Sequence, residues 1–305
     1  MYKHIIKTNL KIRIDKYLSN FYFKTKISRR LIQIYINKGL ILLNKKKIKK
    51  KIKIKINDII IFKKKILLKN NKNKMILPNN KLKVNIHYED NNIIIINKNP
   101  GIVVHPGCGY YKNTVINWLK YYINKQKIKT NLNYNNYRYG LLHRLDKNTS
   151  GLLMIAKNIK TYNSIKNQFF NKTIIKKYIA LIWGIPKKKT NVIKNYIGRN
   201  KKKRIKMMVV NNKKDGKYSI TKYKILKTFK YFSLIKCYLK TGRTHQIRVH
   251  LKYIGHPIFN DDLYGGNKNY INKKIINYKK INKLFKILPR QALHAYYLSY
   301  KDPIT

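Results

Sequence analysis

Apolar residues recur at two different spacings in the first part of the chain, and each spacing predicts one kind of element. Residues 28–38 carry apolar side chains at positions i, i+3 and i+4, which is the spacing of one helix face. Ser28 is placed to cap this helix and Gly39 to end it, and a shorter helix is expected over 13–21. From Lys51, Lys and Ile alternate with period two, which predicts a strand with one buried and one cationic face.

A second, larger domain follows this N-terminal module. Residues 63–83 are rich in Lys and Asn with little periodicity, which indicates a linker. We therefore predict a module over 13–62, this linker, and a second domain over 84–305. Strands dominate the second domain and only a few helices lie between them. This order predicts an α+β fold with a mainly antiparallel, mixed sheet.

The apolar runs of the second domain predict individual elements. Val115, Trp118 and Leu119 share one face of a helix that begins near Thr114, and a second amphipathic helix covers 161–170. Strands are expected where apolar runs end at Gly, Pro or polar residues: before Pro100, over 102–105, 151–157, 174–183, 223–229, 231–239 and 295–300. Three Lys/Asn-rich insertions are expected to form loops: 186–195, 200–217 and 267–286.

The charge of the chain is extreme. The sequence has 72 Lys and Arg against 9 Asp and Glu, which gives a formal net charge of +63 over 305 residues. Such a charge predicts a polyanionic partner, because cationic surfaces bind phosphate backbones with release of counterions. An A/T-rich gene that turned solvated positions into Lys is the alternative explanation. RNA remains the simplest expected partner.

Cysteine usage and hydropathy point to a cytoplasmic protein that does not enter a membrane. Cys108 and Cys237 form neither a disulfide framework nor a CxxC pair. The N-terminus alternates apolar and charged residues, so it does not resemble a signal peptide. The longest apolar run is about six residues, far short of the roughly 20 that cross a bilayer.

Residues that are rare in this composition cluster around Asp146. His143, Arg144, Asp146 and Gly151 fall within one short stretch, YGLLHRLDKNTSGLLMIAK. A carboxylate between His and Arg, ahead of a buried strand, favours a site built around one anion. The alternative is structural, since DKNTSG is good turn chemistry and Asp146 would then pair with Arg144 or cap the turn.

A second cluster, TGRTHQIRVHLKYIGHP, contains Arg243, His245 and Arg248. If a helix begins at Gln246, Arg248 lies near its N-terminal end and can direct a guanidinium at a carboxylate or phosphate. The His and Asp residues have no metal-site spacing, and the GxSxG, GxGxxG and Walker A motifs are absent from the sequence. We therefore expect neither a metal site nor nucleotide hydrolysis or dinucleotide binding.

Four motifs resemble those of the RluA-type RNA pseudouridine synthases, in the same order along nearly the whole chain. They are HRLDKNTSGLLMIAK, TGRTHQIRVHL, GHPIFNDDLYGG and RQALHA. The module over 13–62 resembles the S4 RNA-binding domain that several members carry in front. The resemblance is closest to the D type, which acts on large-subunit (23S) ribosomal RNA.

This resemblance implies a cofactor-free isomerisation of uridine to pseudouridine. Asp146 matches the catalytic aspartate, which attacks the sugar or the base or abstracts a ribose proton. Tyr178 matches the active-site tyrosine that stacks on the base, and Arg248 matches the arginine that pairs with the aspartate. The paired guanidinium is expected to hold Asp146 ionised and oriented. The target uridine must leave its stack before this chemistry begins.

The same resemblance implies RNA contacts. In the S4-like module they are Ser28, Arg29, Arg30 and Lys38, unless these form an ordinary exposed helix face. Near Asp146 they are His143, Arg144 and Arg243, with a purely structural histidine as the alternative for His143. The expected partner is large-subunit ribosomal RNA or a pre-ribosomal particle, bound by a monomer. A catalytically idle RNA-binding protein, or the same chemistry on transfer RNA or another ribosomal site, are the competing readings.

Overall fold

The chain folds into two compact units, Met1–Met75 and Ile76–Thr305. The computed structural model describes the following residues of the chain: 2–7, 12–21, 29–63, 76–107, 109–128, 132, 138–267 and 278–302. Each unit has its own sheet and its own hydrophobic core. Among the residues described, no helix combines the length and the apolar character needed to cross a membrane.

The first unit packs two helices against a four-stranded antiparallel sheet of order β1-β4-β2-β3. Ile14 and Leu18 of α1 and Ile32, Tyr35 and Ile36 of α2 are buried in its core. The predicted face of α2 was wrong at Ile34, which is 40% exposed. Its elements are β1 (Tyr2–Ile5), α1 (Ile14–Phe21), α2 (Arg29–Asn37), β2 (Ile41–Leu43), β3 (Lys46–Lys47) and β4 (Ile59–Phe62). Gly39 follows α2 with a φ of 65°, so it ends the helix as expected.

The predicted strand with a cationic face is wrong over most of its length. Only Ile59–Phe62 forms a strand, whereas Ile52 and Ile56 are exposed. Ile54 alone of the alternating run is buried, and its N–H donates to the Ile12 carbonyl instead of a sheet ladder. Period-two patterning therefore failed here because Lys/Ile alternation also arises from composition.

The second unit is built on a nine-stranded sheet of order β10-β9-β11-β12-β8-β13-β7-β6-β5. Every neighbouring pair is antiparallel except β13 and β7, which run parallel, so the mainly antiparallel, mixed sheet is confirmed. The strands are β5 (Asn85–Glu89), β6 (Ile93–Lys98), β7 (Ser150–Ala156), β8 (Ile175–Trp183), β9 (Thr190–Arg199), β10 (Met207–Val210), β11 (Gly216–Thr228), β12 (Phe232–Leu239) and β13 (Leu293–Ser299).

Four helices lie against this sheet in the part of the chain that the structure describes: α3 (Val115–Lys125), α4 (Ile159–Phe170), α5 (Gln246–Tyr253) and α6 (Tyr278–Ile287). Thr114 caps α3 in a capping box with Asn117, which explains why the helix begins there. The core of the unit centres on Trp183, whose ring packs against Phe232, Phe259 and Phe285.

All three predicted insertions contain regular structure. The stretches 186–195 and 200–217 hold most of β9, all of β10 and the start of β11 instead of loops, because Ile193 and Ile197 alternate inward and anchor β9. The insertion 267–286 contains most of α6, while 268–277 lies outside the described residues. The run 102–105, predicted as a strand, makes only an isolated bridge at Val103.

Both units begin earlier in the chain than the sequence pattern predicted. β1 lies before residue 13 and pairs with β4, so the first unit begins earlier than the pattern indicated. Ile76 and Leu82, within the predicted linker, pack against the core of the second unit. Lys120 of α3 donates to the Ile76 carbonyl at 2.9 Å, which further fixes this segment.

Candidate active site

Asp146 lies in the turn that leads into β7. The turn closes through the Thr149 N–H, which donates to the Asp146 carbonyl at 3.1 Å, so DKNTSG forms the turn that its composition predicts. β13 runs beside this turn: Ser150 bonds to His294 at 2.8 Å, and Arg290 donates to Ser150 at 3.0 Å. The RQALHA motif therefore fixes the strand end that presents Asp146.

Arg248, near the start of α5, links two carboxylates that are far apart in sequence. Its Nη1 donates to Oδ2 of Asp146 at 3.0 Å, while Nε and Nη2 donate to the two carboxylate oxygens of Asp261 at 2.7 and 2.9 Å. The guanidinium also lies over the Tyr264 ring, 4.9 Å from its centroid. Burial alone would lower the pKa of Arg248, but Asp261 and then Asp146 raise it above its ordinary value, so the cation is permanent.

Asp261 holds Arg248 in place. Its side chain is fully buried, and besides Arg248 it accepts hydrogen bonds from the N–H groups of Leu263 and Tyr264 at 3.1 and 3.2 Å. The Asp146 side chain is 18% exposed and faces the pocket. Of the two carboxylates that share Arg248, one is therefore locked in the protein and the other is open to a ligand.

Tyr178 stands on β8 in the middle of the sheet, between Cys237 of β12 and Ala295 of β13. Its side chain is buried yet lines the same pocket as Asp146 and Arg248. Burial, followed by the charge of Asp146, raises the pKa of the Tyr178 hydroxyl, so the phenol is protonated in the free protein. The aromatic ring of a neutral tyrosine beside a carboxylate is suited to stacking on a nucleobase.

His245 caps α5 in a left-handed conformation, with φ 55° and ψ 21°. Its Nε2 lies 3.8 Å from Oδ2 of Asp146, and its Nδ1 lies 2.7 Å from the Tyr264 hydroxyl. That hydroxyl already accepts the Met207 N–H, so its own proton is available for Nδ1 and the imidazole proton is then on Nε2, facing Asp146. Burial lowers the pKa of His245 although Asp146 opposes the shift, so the ring is neutral at neutral pH.

One pocket of about 550 Å³ is lined by Asp146, Tyr178, His245 and Arg248, and its volume is within the range typical of small-molecule sites. The predicted residues His143, Arg144 and Arg243 line it as well, with Arg144 and Arg243 exposed. The pocket thus combines one accessible carboxylate, an aromatic ring and several cations. Among the described residues, no group of three or more His, Cys, Asp and Glu side chains is arranged to hold a metal ion.

His143 has the surroundings of a structural histidine. Its Nε2 accepts the Met154 N–H at 3.0 Å, and its ring packs against Phe169 with centroids 5.3 Å apart. Burial, with a contribution from Lys176, lowers the pKa of His143 to about 3, so the ring stays neutral. These contacts favour the structural alternative over an RNA contact for this residue.

The predicted RNA contacts of the first unit are in part engaged otherwise. Arg29 forms an ion pair with the fully buried Asp15 at 3.1 Å, and Arg13 and Gln33 donate to the same carboxylate. These donors lower the pKa of Asp15 to about 2, against the opposing effect of burial. Lys38 is exposed, whereas Ser28 and the side chain of Arg30 lie outside the described residues.

Sequence reasoning missed two residues of the site, Asp261 and His245. Both fall in the motif clusters that it singled out, but neither was assigned a role. The rarity of acidic residues was the available signal for Asp261, because the chain has only 9 of them. Its pairing with Arg248 depends on the fold, because the chain after α5 turns back and places Asp261 within hydrogen-bond distance of Arg248.

Comparison with known proteins identifies the family of this chain. The chain matches the RNA pseudouridylate synthase family over residues 92–253. It is 36% identical over 295 residues to an uncharacterized RNA pseudouridine synthase of Bacillus subtilis, covering 96% of this chain and 87% of that protein. It is 37% identical over 277 residues to the ribosomal large subunit pseudouridine synthase D of Borreliella burgdorferi, covering 88% and 81%.

Solved structures share the fold. The human protein RNA Pseudouridylate Synthase Domain Containing 1 superposes with a TM-score of 0.53 at 24% identity, over 72% of this chain and 80% of that chain. The chain therefore belongs to the RNA pseudouridylate synthase family, and it is an RNA pseudouridine synthase, an isomerase. Four motifs, one fold and one pocket lead to the same class.

Proposed function

We propose that this enzyme converts uridine to pseudouridine in large-subunit (23S) ribosomal RNA and that Asp146 is its catalytic carboxylate. The observation that carries the proposal is the Asp146 side chain, open to the pocket and held by Arg248 at 3.0 Å beside Tyr178. Opposite charge orients a carboxylate before the substrate arrives, which is the preorganisation that catalysis needs.

The reaction is balanced without a co-reactant. The bond from ribose C1′ to N1 breaks, the base rotates, a bond from C1′ to C5 forms, and the C5 proton is lost while N1 gains one. No atoms or electrons are gained or lost overall, so the proposed chemistry requires neither oxidant nor cofactor. Asp146 acts at the ribose or the base during bond cleavage, and Arg248 keeps it in position.

Tyr178 is proposed to stack on the uracil ring and to assist removal of the C5 proton. The target base must first leave its stack, which costs a few kcal/mol that contacts in the pocket offset. An aromatic face contributes about 1–3 kcal/mol of stacking per base. The buried, protonated Tyr178 is fixed by neighbouring strands, so it offers this face without rearrangement.

The substrate assignment rests on the relatives. Several proteins at 37–44% identity carry the name ribosomal large subunit pseudouridine synthase D. The charge of +63 suits a polyanionic substrate such as ribosomal RNA or a pre-ribosomal particle. We propose that a monomer binds this substrate in the cytoplasm. The first unit, read as an S4-like module over 13–62, would hold the RNA by shape and phosphate contacts. Transfer RNA with the same chemistry is the competing substrate.

The test maps pseudouridines in total RNA from a host that lacks its own enzyme of this type. Expression of the wild-type chain is expected to restore pseudouridine in a large-subunit stem-loop, and Asp146→Asn is expected to restore none. Asp215→Asn is the matched control, because Asp215 is half exposed in the turn before β11 and does not line the pocket, so the same chemical change there spares the site.

Each outcome separates the candidates. Restoration by both Asp146→Asn and wild type would remove Asp146 from catalysis. Restoration in transfer RNA alone would replace the proposed substrate but keep the chemistry. RNA binding without modification by the wild type would instead favour an idle RNA-binding protein.

A further inference from the structure

Lys176 is a cation of the pocket that the chemistry above does not use. It precedes Tyr178 by two residues on β8, so both side chains lie on the same face of the strand and both line the pocket. Successive residues of a strand rise about 3.3 Å, so the two positions are separated by about 7 Å along the pocket wall. Lys176 is therefore the next residue on this face of β8 to Tyr178, whose ring is proposed to hold the base.

The surroundings of the Lys176 ammonium contain cations and neutral groups. It lies over the Phe169 ring at 5.4 Å from the centroid, and a Cβ placed on Gly242 would be 3.6 Å from its Nζ. His143, its neutral neighbour, brings no negative charge. No carboxylate forms an ion pair with Lys176 anywhere in the part of the chain that the structure describes.

This arrangement is unfavourable in the free protein. Burial, followed by the charge of Arg243, lowers the pKa of Lys176. Burying a charge without a partner costs free energy, and a second cation nearby adds to that cost. An anion that enters between Lys176 and Arg243 would remove both penalties. On one wall of the pocket the charge of Asp146 is neutralised by Arg248. The second wall, formed by Lys176 and Arg243, carries positive charge that no carboxylate among the residues described neutralises.

We propose that Lys176, together with Arg243, binds a phosphate of the RNA backbone next to the flipped uridine. The inference rests on the proposed function and deepens it, because it assigns the part of the substrate that the second wall recognises. A lysine on a rigid strand binds phosphate as a point charge, while Arg243, exposed at the pocket rim, contributes a planar donor. The nucleotide is then held at its base by Tyr178 and at its phosphate by Lys176.

Binding of small probes tests this subsite without requiring turnover. Uridine, uridine 3′,5′-bisphosphate and inorganic phosphate are titrated into the full chain at constant ionic strength and followed by calorimetry. The wild type is expected to bind the bisphosphate at least about tenfold more tightly than uridine, the size expected of a charge-assisted hydrogen bond. Lys176→Met is expected to abolish most of that preference while uridine binding stays within about twofold.

Two matched variants control the experiment. Lys176→Arg retains the cation and is expected to keep most of the preference. Lys177→Met changes the neighbouring lysine, which points to the opposite face of β8 and lies over the Tyr297 ring at 4.0 Å, and is expected to bind all probes as the wild type does. Uridine binding by Lys176→Met shows that this variant is folded, and retention of the preference by Lys176→Arg shows that the charge carries it.

The outcomes that overturn the subsite are distinct from failure of the proposed function. Lys176→Met would overturn it by binding the bisphosphate as tightly as the wild type, or by losing uridine and bisphosphate affinity in equal proportion. Lys176-dependent binding of inorganic phosphate with no gain for the nucleotide would mean a free-phosphate site. The catalytic role of Asp146 is read separately, since Asp146→Asn is expected to keep the bisphosphate preference while losing turnover.

Discussion

At the scale of residues, the site is organised around a guanidinium shared by two carboxylates. Asp261 takes two of the hydrogen bonds of Arg248, and its Oδ1 also accepts two backbone N–H groups, so this buried carboxylate is held in place. Asp146 receives a single hydrogen bond from the same guanidinium, from Nη1. The remaining lone pairs of Asp146 face the pocket, which leaves the group oriented yet available. Arg→Lys at this position would lose the fork that joins the two carboxylates.

Buried neutral histidines make folding sensitive to acid. Burial lowers the pKa of His143 to about 3 and that of His250 to about 4, from 6.5 in the unfolded chain. Below about pH 6.5 the unfolded chain therefore binds protons that the folded chain does not, and the free energy of unfolding falls as pH falls. Each histidine is expected to contribute a loss of about 2 kcal/mol between about pH 7 and about pH 5.

Urea unfolding of the wild type and His143→Gln at the two pH values checks this prediction. The variant is expected to lose about 2 kcal/mol less than the wild type on acidification, whatever its absolute stability. His87→Gln, at an exposed position on β5, is the control and is expected to follow the wild type. An unchanged pH dependence in His143→Gln would show that the ring is protonated in the fold.

At the scale of elements, the parallel pair of β7 and β13 supports the turn that carries Asp146. Ala295 lies opposite Gly151, whose φ is 119° and whose added Cβ would be 2.2 Å from the Ala295 carbonyl oxygen. Only glycine permits both the backbone conformation and the close approach. Gly151, which follows the Asp146 turn, is therefore required for the close packing of β7 against β13.

Gly151→Ala is expected to destabilise the protein by about 3 kcal/mol or more, because the clash is with backbone and cannot be relieved by a side-chain rotation. Gly101→Ala is the matched control: its φ is 84° but nothing lies within 4 Å of its added Cβ. It bears the conformational strain alone and is expected to cost about 1 kcal/mol. Thermal or urea unfolding measures both; equal effects would contradict the role assigned to the contact with Ala295.

Element prediction from the sequence succeeded where packing and patterning agree. α3, α4 and β8 were predicted to within a few residues because buried apolar positions, caps and glycines coincide there. The Lys/Ile run before β4 and the Lys/Asn-rich stretch of β9 and β10 were both misassigned. In this composition Lys and Asn occupy strands and loops alike, so polarity no longer separates them.

At the scale of the whole molecule, the charge of +63 makes RNA binding dependent on salt. Binding of a large-subunit RNA fragment is expected to weaken at least about tenfold between about 50 and about 200 mM salt, since even a few phosphate contacts give a steep dependence. Lys176→Met is expected to lower the slope of log affinity against log salt by about one. A flat response would mean that the surface lysines reflect composition and not RNA contacts.

The sequence by itself determined the class of enzyme, through four motifs that resemble a known family, and the α+β character, through periodic apolar positions. It also predicted Asp146, Tyr178 and Arg248, which the fold brings into one pocket. Only the tertiary structure decided that Asp261 holds Arg248, that His143 is satisfied by backbone, and that Lys176 stands unneutralised beside Tyr178. Such facts arise where strands and turns distant in sequence meet. The physical reason is that charge pairing and burial are properties of neighbours in space, which a pattern along the chain does not specify.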